Sequence, residues 1–462
     1  MTEAWRRDAL EAVLRDEQRA FAEAHPRSRA LFEAGQSHFL YGAPSHWMRR
    51  WAGGFPLAID GGRGSRVRSV DGRDFVDFCL GDTGAMCGHG VPAVAQAVAA
   101  QLARGATFMM PTEDAAWVGR ELARRFGLPY WGFTTSASDA NRAAIRLARM
   151  VTGRERVLVF NGCYHGSVEE AHVALDGDGR VVMRNGIHAN AVEHARVSRV
   201  IEFNDLEALE RALVPGDVAC VLAEPFMTNY GLIEPQPGFL DALRALTERT
   251  GTLLVFDETH TFSSGPGGYV GRHGPTGDFT VVGKAIGGGV PVGVYGMSEA
   301  IAQRVWSRVP KVDPAFVRQS AHLGFGGTLA GSALQVAVVR AVLEHVLTDT
   351  AFDHMHRLAG AIADRMRAVV TSHRLPWYVA RSGGRVELMF APEAPRDATA
   401  VAAGRDGLLE ALLHVHFLNR GVIVTPFHNM LLTCPDSTDD DVERGTEALD
   451  AFCVDLSERC AP

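Results

Sequence analysis

"GTLLVFDETHTFSSGPGGYVGRHGPTGDFTVVGK" runs from Gly251 to Lys284 and holds two apolar, β-branched runs separated by a glycine-rich loop. Runs of that length and composition predict strands covered on both faces. The first ends on Asp257 and the second on Lys284, 27 residues further on. Outward from this stretch the texture repeats. "RVLVFNG" (Arg156–Gly162) and "VACVLAEP" (Val218–Pro225) are further strand-length apolar runs. "FLDALRALTERTG" places Phe239, Leu243 and Leu246 on one helical stripe, with Gly251 as its stop. Strands alternating with amphipathic helices predict an α/β fold with a mainly parallel, doubly wound sheet. Ligands of such sheets sit at the carboxyl ends of the strands, where Asp257 and Lys284 are expected.

The lysine is unusual for this chain. Of 46 basic residues only two are lysines, Lys284 and Lys311. Where a surface charge suffices the chain uses arginine. A lysine kept in the apolar, glycine-rich "VVGKAIGGGVPVG" points to amine chemistry, since an amine can lose its proton and attack a carbonyl and a guanidinium cannot. A phosphate-binding P-loop is excluded on spacing: five residues separate Gly277 from Gly283, and Ala285 follows the lysine where Ser or Thr is required. No GxGxxG opens a helix after the first strand, which argues against a nicotinamide-dependent dehydrogenase.

"FTTSASDANRAAIRLARMVTG" (Phe133–Gly153) supplies a third feature. Ser136, Ser138 and Asp139 cluster where a helix begins; Ala140, Ala143, Ala144, Leu147 and Val151 recur at helical spacing. A helix N-terminus carries free N–H groups and binds phosphate, although a serine there also serves as a plain N-cap. Asp257 could cap a loop, bind magnesium or hold a protonated pyridine nitrogen. A lysine for a Schiff base, a carboxylate for a ring nitrogen and a helix N-terminus for a phosphate are together the grips that pyridoxal phosphate (PLP) requires.

The whole chain fits an ordinary globular protein: 462 residues, 47% hydrophobic, 22% charged, net charge −8. That charge does not favour nucleic acid or anionic membrane. No apolar run approaches the roughly 20 residues of a membrane helix. The charged N-terminus is unlike a secretory signal, and seven cysteines without CxxC pairs argue for a reducing compartment and no zinc or other metal site. A cytoplasmic protein is expected. The first 40 residues predict helix, and "SRVRSVDGRDFVDFC" a hairpin about Asp71-Gly72. From about Leu343 the chain turns helical, with strand candidates at "RVELMF" and "GVIVTP". The expected organisation is a small-domain segment at 1–80, a large domain at 81–342 and the rest of a small α+β domain at 343–462.

These motifs together resemble the class III (omega) aminotransferases of PLP fold type I, in particular their glutamate-semialdehyde aminomutase-like branch. The resemblance runs from about Phe55 to the C-terminus. "DGRDFVDF" resembles the early hairpin and "GHGVP" (Gly88–Pro92) the loop after it. "TTSASDAN" stands at the phosphate loop, with Ala137, Ser138 and Asp139 for the usual Gly, Thr and Glu. "GCYHG" contains the family's Tyr-His-Gly; "AEP" (Ala223–Pro225) and "FDE" (Phe256–Glu258) match strand-end signatures; "GGTLAG" contains Thr328.

The resemblance implies that Lys284 forms the Schiff base and then acts as general base. Asp257 would keep the ring nitrogen protonated and Tyr164 cover the ring. Ser136, Ala137, Ser138, Glu224 and Thr259 (where an apolar residue is usual) would line the cofactor. Thr328 would reach the phosphate of the partner in a homodimer with shared sites. The implied activity is ping-pong transfer of an amino group from an amino acid or amine, aromatic and β-amino acids included, to a 2-oxo acid. An aminomutase or a decarboxylating aminotransferase has the same core. In related β-amino-acid aminotransferases arginines hold the substrate carboxylate in two loops; here those places read "GAPSHWMRRW" and "TPFHN", with Phe427 or His428 for the late arginine. Candidate substrate residues are therefore His46, Trp47, Met48, Arg49, Arg385 and Phe427, with Trp47, Met48 and Phe427 as an apolar wall and Arg385, Arg49 or Arg50 as the carboxylate's cation.

Overall fold

The structure is a computed structural model, and it describes residues 5–184, 194–309, 324–426 and 428–461. The chain divides into two compact units, one of Pro92–Asp349 with Pro395–Val401, the other of Met1–Val91, Thr350–Ala394 and Ala402–Pro462.

The first unit is built on a seven-stranded sheet: β1 (Tyr130–Thr134), β2 (Arg156–Phe160), β3 (Ser198–Ile201), β4 (Val218–Ala223), β5 (Leu253–Asp257), β6 (Phe279–Val282) and β7 (Gly293–Met297). Their spatial order is β1-β7-β6-β5-β4-β2-β3. The ladder from β6 through β5, β4 and β2 to β3 is parallel, and β7 runs antiparallel to both β6 and β1. Every residue of β4, β5 and β6 is buried, as continuous apolar runs demand. Helix α1 (Ala137–Thr152) packs its Ala140, Ala143, Ala144, Leu147 and Val151 against Val157, Val159, Leu222, Val255 and Val281. Three alanines on that face let the helix axis lie close to the sheet. The helix stops at Gly153, whose φ of 71° is the left-handed C-cap conformation glycine adopts without strain. Helix α2 (Phe239–Thr250) buries Phe239, Leu243 and Leu246.

The second unit draws on both ends of the chain. Its core joins Leu10, Val13 and Phe21 to Phe75, Leu358, Ile362, Leu412, Phe417 and Phe452. The single N-terminal helix expected from sequence is two, Arg7–Ala24 and Pro26–Gly35. Pro26 has no N–H to continue the first helix but suits the first position of the second. The hairpin forms as expected, Arg66–Ser69 against Asp74–Asp77, with Gly72 at φ 81° in the turn. A three-stranded sheet holds Tyr378–Ser382, Arg385–Met389 and Met430–Leu432. Val422–Ile423 adds a short parallel strand beside Asp74–Asp77. Among the described residues no helix is long and apolar enough to cross a membrane. All seven cysteines are buried and free.

Candidate active site

Lys284 opens a single 3₁₀ turn, Lys284–Gly287, directly after β6. Its φ is 51°, a left-handed conformation that costs a residue with a Cβ about 1 kcal/mol. The glycines around it have a steric role. A Cβ on Gly283 would lie 2.7 Å from Ala137 Cβ, and one on Gly293 would lie 2.3 Å from the Ser136 carbonyl oxygen. Glycine at both places is what lets the lysine turn and the start of β7 press against the first residues of α1. Lys284 Nζ is hydrogen-bonded to Nε2 of His260.

Asp257 ends the neighbouring strand β5, paired in register with Val281 of β6. Its carboxylate is buried and accepts three bonds: from Asn141 Nδ2 at 2.7 Å, from His165 Nδ1 at 2.9 Å and from the Thr259 amide at 3.1 Å. Burial alone would push its pKa up. The His165 bond and charge, with Thr259 and Asn141, outweigh burial and hold the carboxyl below its ordinary value. His165 is buried too, which lowers its pKa, but Cys163 and Asp257 win and raise it above its ordinary value. The surroundings of Asp257 thus favour its anion at the carboxyl end of the sheet.

The start of α1 completes this rim. Ser136 is its N-cap: its Oγ accepts from the Asp139 amide at 3.2 Å and donates to Asp139 Oδ2 at 2.9 Å. Ser136 is therefore a cap, with the amides of Ala137 and Ser138 following it at the helix N-terminus. Ser138 Oγ accepts from the Ser167 amide at 3.0 Å, which ties the loop carrying Tyr164 and His165 to the helix. Tyr164 is 45% exposed, while Glu224 and Thr259 are buried. Glu224 accepts from Thr228 Oγ1 at 2.5 Å. Thr328 is exposed.

These residues fit PLP. A buried anion suits a pyridinium, a helix N-terminus suits a phosphate, and an amine lies just past the end of the strand next to the anion. Thr259 Oγ1 and Asn141 Oδ1 are buried beside Asp257 without a hydrogen-bond partner among the described residues, groups that a ring with polar substituents would satisfy.

The expected substrate residues belong to the other unit. His46–Arg49 form a 3₁₀ turn in which His46, Trp47 and Arg49 are exposed and Met48 is half-buried; Arg49 lies over the Tyr41 ring. Phe427 lies outside the described residues. Arg385 does open a strand, but its side chain is fully buried, donating to Thr83 Oγ1 and contacting Met430 Sδ at 2.9 Å. Glu17, His416 and Asp455 also gather in this unit, and Arg420 supplies the positive charge there, 3.4 Å from Glu17 and 3.2 Å from Asp455.

Reading the sequence missed His165, Asn141, Thr228 and His260. His165 sits in the quoted Tyr-His-Gly, beside the tyrosine to which the resemblance gives a role. Asn141 is one turn into α1 and His260 three residues after Asp257, positions whose direction only the folded chain reveals.

The chain is similar to known proteins over nearly its whole length. The family model "Aminotransferase class-III" matches residues 47–452. A relative described as glutamate-1-semialdehyde 2,1-aminomutase 2, from Brevibacillus brevis, is 31% identical over 91% of this chain and 97% of its own length. A crystal structure of a glutamate-1-semialdehyde-aminomutase from Pseudomonas aeruginosa, a lysine-to-alanine variant in complex with PMP, is 51% identical. It covers 97% of this chain and 99% of that one, with a TM-score of 0.95. A beta-phenylalanine aminotransferase from Variovorax paradoxus is 27% identical over 98% and 99%, with a TM-score of 0.85. The chain belongs to the class III aminotransferase family, a PLP-dependent enzyme of fold type I.

Proposed function

We propose that this enzyme moves an amino group within one substrate, as an aminomutase, with Lys284 as its Schiff-base residue. The observation that carries the PLP chemistry is the pairing of a buried, ionised Asp257 with Lys284 at adjacent strand ends. PLP, when bound, supplies an imine-forming carbonyl and an electron-withdrawing ring. Asp257 holds the proton on the ring nitrogen, backed by Asn141 and His165. The Ala137 and Ser138 amides, with Ser138 Oγ, hold the phosphate, and Tyr164 covers the ring. Lys284 Nζ would act as the general base that takes a proton from the amine-bearing substrate carbon and returns one to it, which requires a neutral amine. Aminomutase chemistry is favoured because the Brevibacillus and Pseudomonas proteins, alike over nearly the whole chain, are so described.

A second reading is transamination from an amino acid or amine to a 2-oxo acid, favoured by the likeness to the beta-phenylalanine aminotransferase. One experiment separates them. Holoenzyme given glutamate 1-semialdehyde alone should convert it to the isomer with a shifted amino group. A requirement for pyruvate or 2-oxoglutarate, with parallel-line kinetics, would replace the aminomutase by the transaminase. The exposed Thr328 is proposed to serve a partner's phosphate in a homodimer; a monomer by sedimentation that keeps full activity would end that proposal.

A further inference from the structure

Lys284 does not stand alone. Its Nζ meets Nε2 of His260, a buried ring three residues past Asp257. The other ring nitrogen, Nδ1, lies 2.6 Å from Thr228 Oγ1, and Thr228 donates its hydroxyl proton to Glu224 Oε2 at 2.5 Å. Donor accounting then sets the tautomer. Thr228 has one hydroxyl proton and gives it to the carboxylate, so its oxygen accepts from Nδ1. Nδ1 carries the ring proton, and Nε2 presents a lone pair to the lysine.

We propose that His260, oriented by Thr228 and Glu224, is the proton acceptor that turns the Lys284 ammonium into the free amine. The inference rests on Lys284 being the Schiff-base residue. An ammonium has no electron pair to attack with. In the step proposed, one N–H bond of Nζ breaks and its electron pair stays on Nζ; an N–H bond forms at Nε2. The imidazolium that results is balanced by Glu224, whose Oε2 is 4.0 Å from Nδ1. Nothing is oxidised or reduced, and the reverse step reprotonates the lysine. The logic is that of a carboxylate-oriented histidine beside a nucleophile, with a threonine hydroxyl inserted. Among the described residues, the titratable groups that the hydrogen bonds place against His260 include Lys284 on one side and Glu224 on the other. Asp257 and Glu258, just before it in the chain, turn instead to His165 and to the amides of Tyr269 and Val270.

The two-lysine composition makes the test direct. Full-length protein labelled with ¹³C at lysine Cε gives two such signals, and Lys311→Arg identifies that of Lys284. In chain stripped of cofactor, the Lys284 signal should show a step as pH crosses the imidazole range, and His260→Gln should remove it. Thr228→Val keeps the ring but removes its acceptor, and should displace the step. At neutral pH the stripped His260→Gln chain should take up PLP, followed by absorbance, at least tenfold more slowly, and recover as pH rises. In turnover kcat should fall by ~10²-fold while KM stays within about threefold. Identical signal curves in wild type and His260→Gln, or PLP uptake slowed equally at every pH, would overturn the relay. Failure of the wild-type chain to take up any PLP would instead sink the functional reading on which it rests.

Discussion

Replacing Asp257 by asparagine removes one charge and almost no volume, so its cost can be worked from the three bonds the carboxylate accepts. Oδ2 faces two donors, His165 and Asn141, and Oδ1 faces one, the Thr259 amide. An asparagine has one acceptor oxygen. Its better arrangement puts that oxygen toward His165 and Asn141, leaving its NH₂ against the Thr259 N–H. One bond is lost, a donor meets a donor and buried His165 loses its counter-charge, together costing about 3–5 kcal/mol of stability. The chain should stay folded and still take up PLP. The chemical cost is separate, because the anion that stabilises a protonated ring is gone. Losing such a preorganised charge costs roughly 3 kcal/mol of transition-state stabilisation, or ~10²-fold in rate. A stopped-flow single turnover with PLP saturating measures this without product release, and thermal unfolding measures the stability arm. A slowing of less than tenfold with the cofactor fully bound would mean that Asp257 only closes the strand end.

Lys284→Arg should be as inactive as Lys284→Ala while keeping the fold, since the amine rather than the charge is needed; near wild-type turnover in either refutes the assignment. Glu258 is buried, and burial, only partly offset by bonds from Thr261, Val270 and Tyr269, raises its pKa from 4.5 to about 7. Between those pH values the folded chain holds a proton that the unfolded chain has lost, so this group's contribution to stability falls as pH rises, by up to about 3 kcal/mol. Denaturant unfolding of wild type and Glu258→Gln at pH 5 and pH 8 isolates it; a difference that does not change with pH contradicts the reasoning. His428, lowered to about 4 chiefly by burial, works in the opposite direction over 4 to 6.5, which is why the variant and not wild type alone must be followed. Arg385→Ala should cost about 3 kcal/mol of stability whatever the substrate, because it empties a fully buried position and strands Thr83; unchanged denaturation with weaker binding of carboxylate-bearing donors alone would restore Arg385 as a substrate reader.

Much of the sheet was legible because parallel strands advertise themselves. Runs such as "VACVLA" and "LLVFD" are apolar on both faces, and no surface element shares that pattern. The stripe Ala140, Ala143, Ala144, Leu147 and Val151 was legible for the same reason, as was its glycine stop. The antiparallel β7 was not: "GVYGM" begins and nearly ends in glycine, residues that look like loop until Gly293 and Gly296 are seen packing against Ser136 and Trp131. The N-terminal helix was misjudged at one residue, Pro26, where periodicity continued but the hydrogen-bond ladder could not.

The site divides along a similar line. Lys284 and Asp257 stood out because each is a charge where the strand pattern permits none, and burying a charge demands a reason. Their supports did not stand out, because a histidine or a threonine in a loop is ordinary until its partner is known. Yet the supports decide what the charges do. Without Asn141 and His165, burial would raise Asp257 toward a neutral acid that could not hold a ring proton. In the relay proposed above, Nε2 of His260 is the acceptor at the Lys284 amine. The left-handed backbone at Lys284 belongs to the same account. It spends about 1 kcal/mol to turn the lysine out of line with β6, and Gly283 gives the turn room against Ala137. The amine set by that turn meets Nε2 of His260.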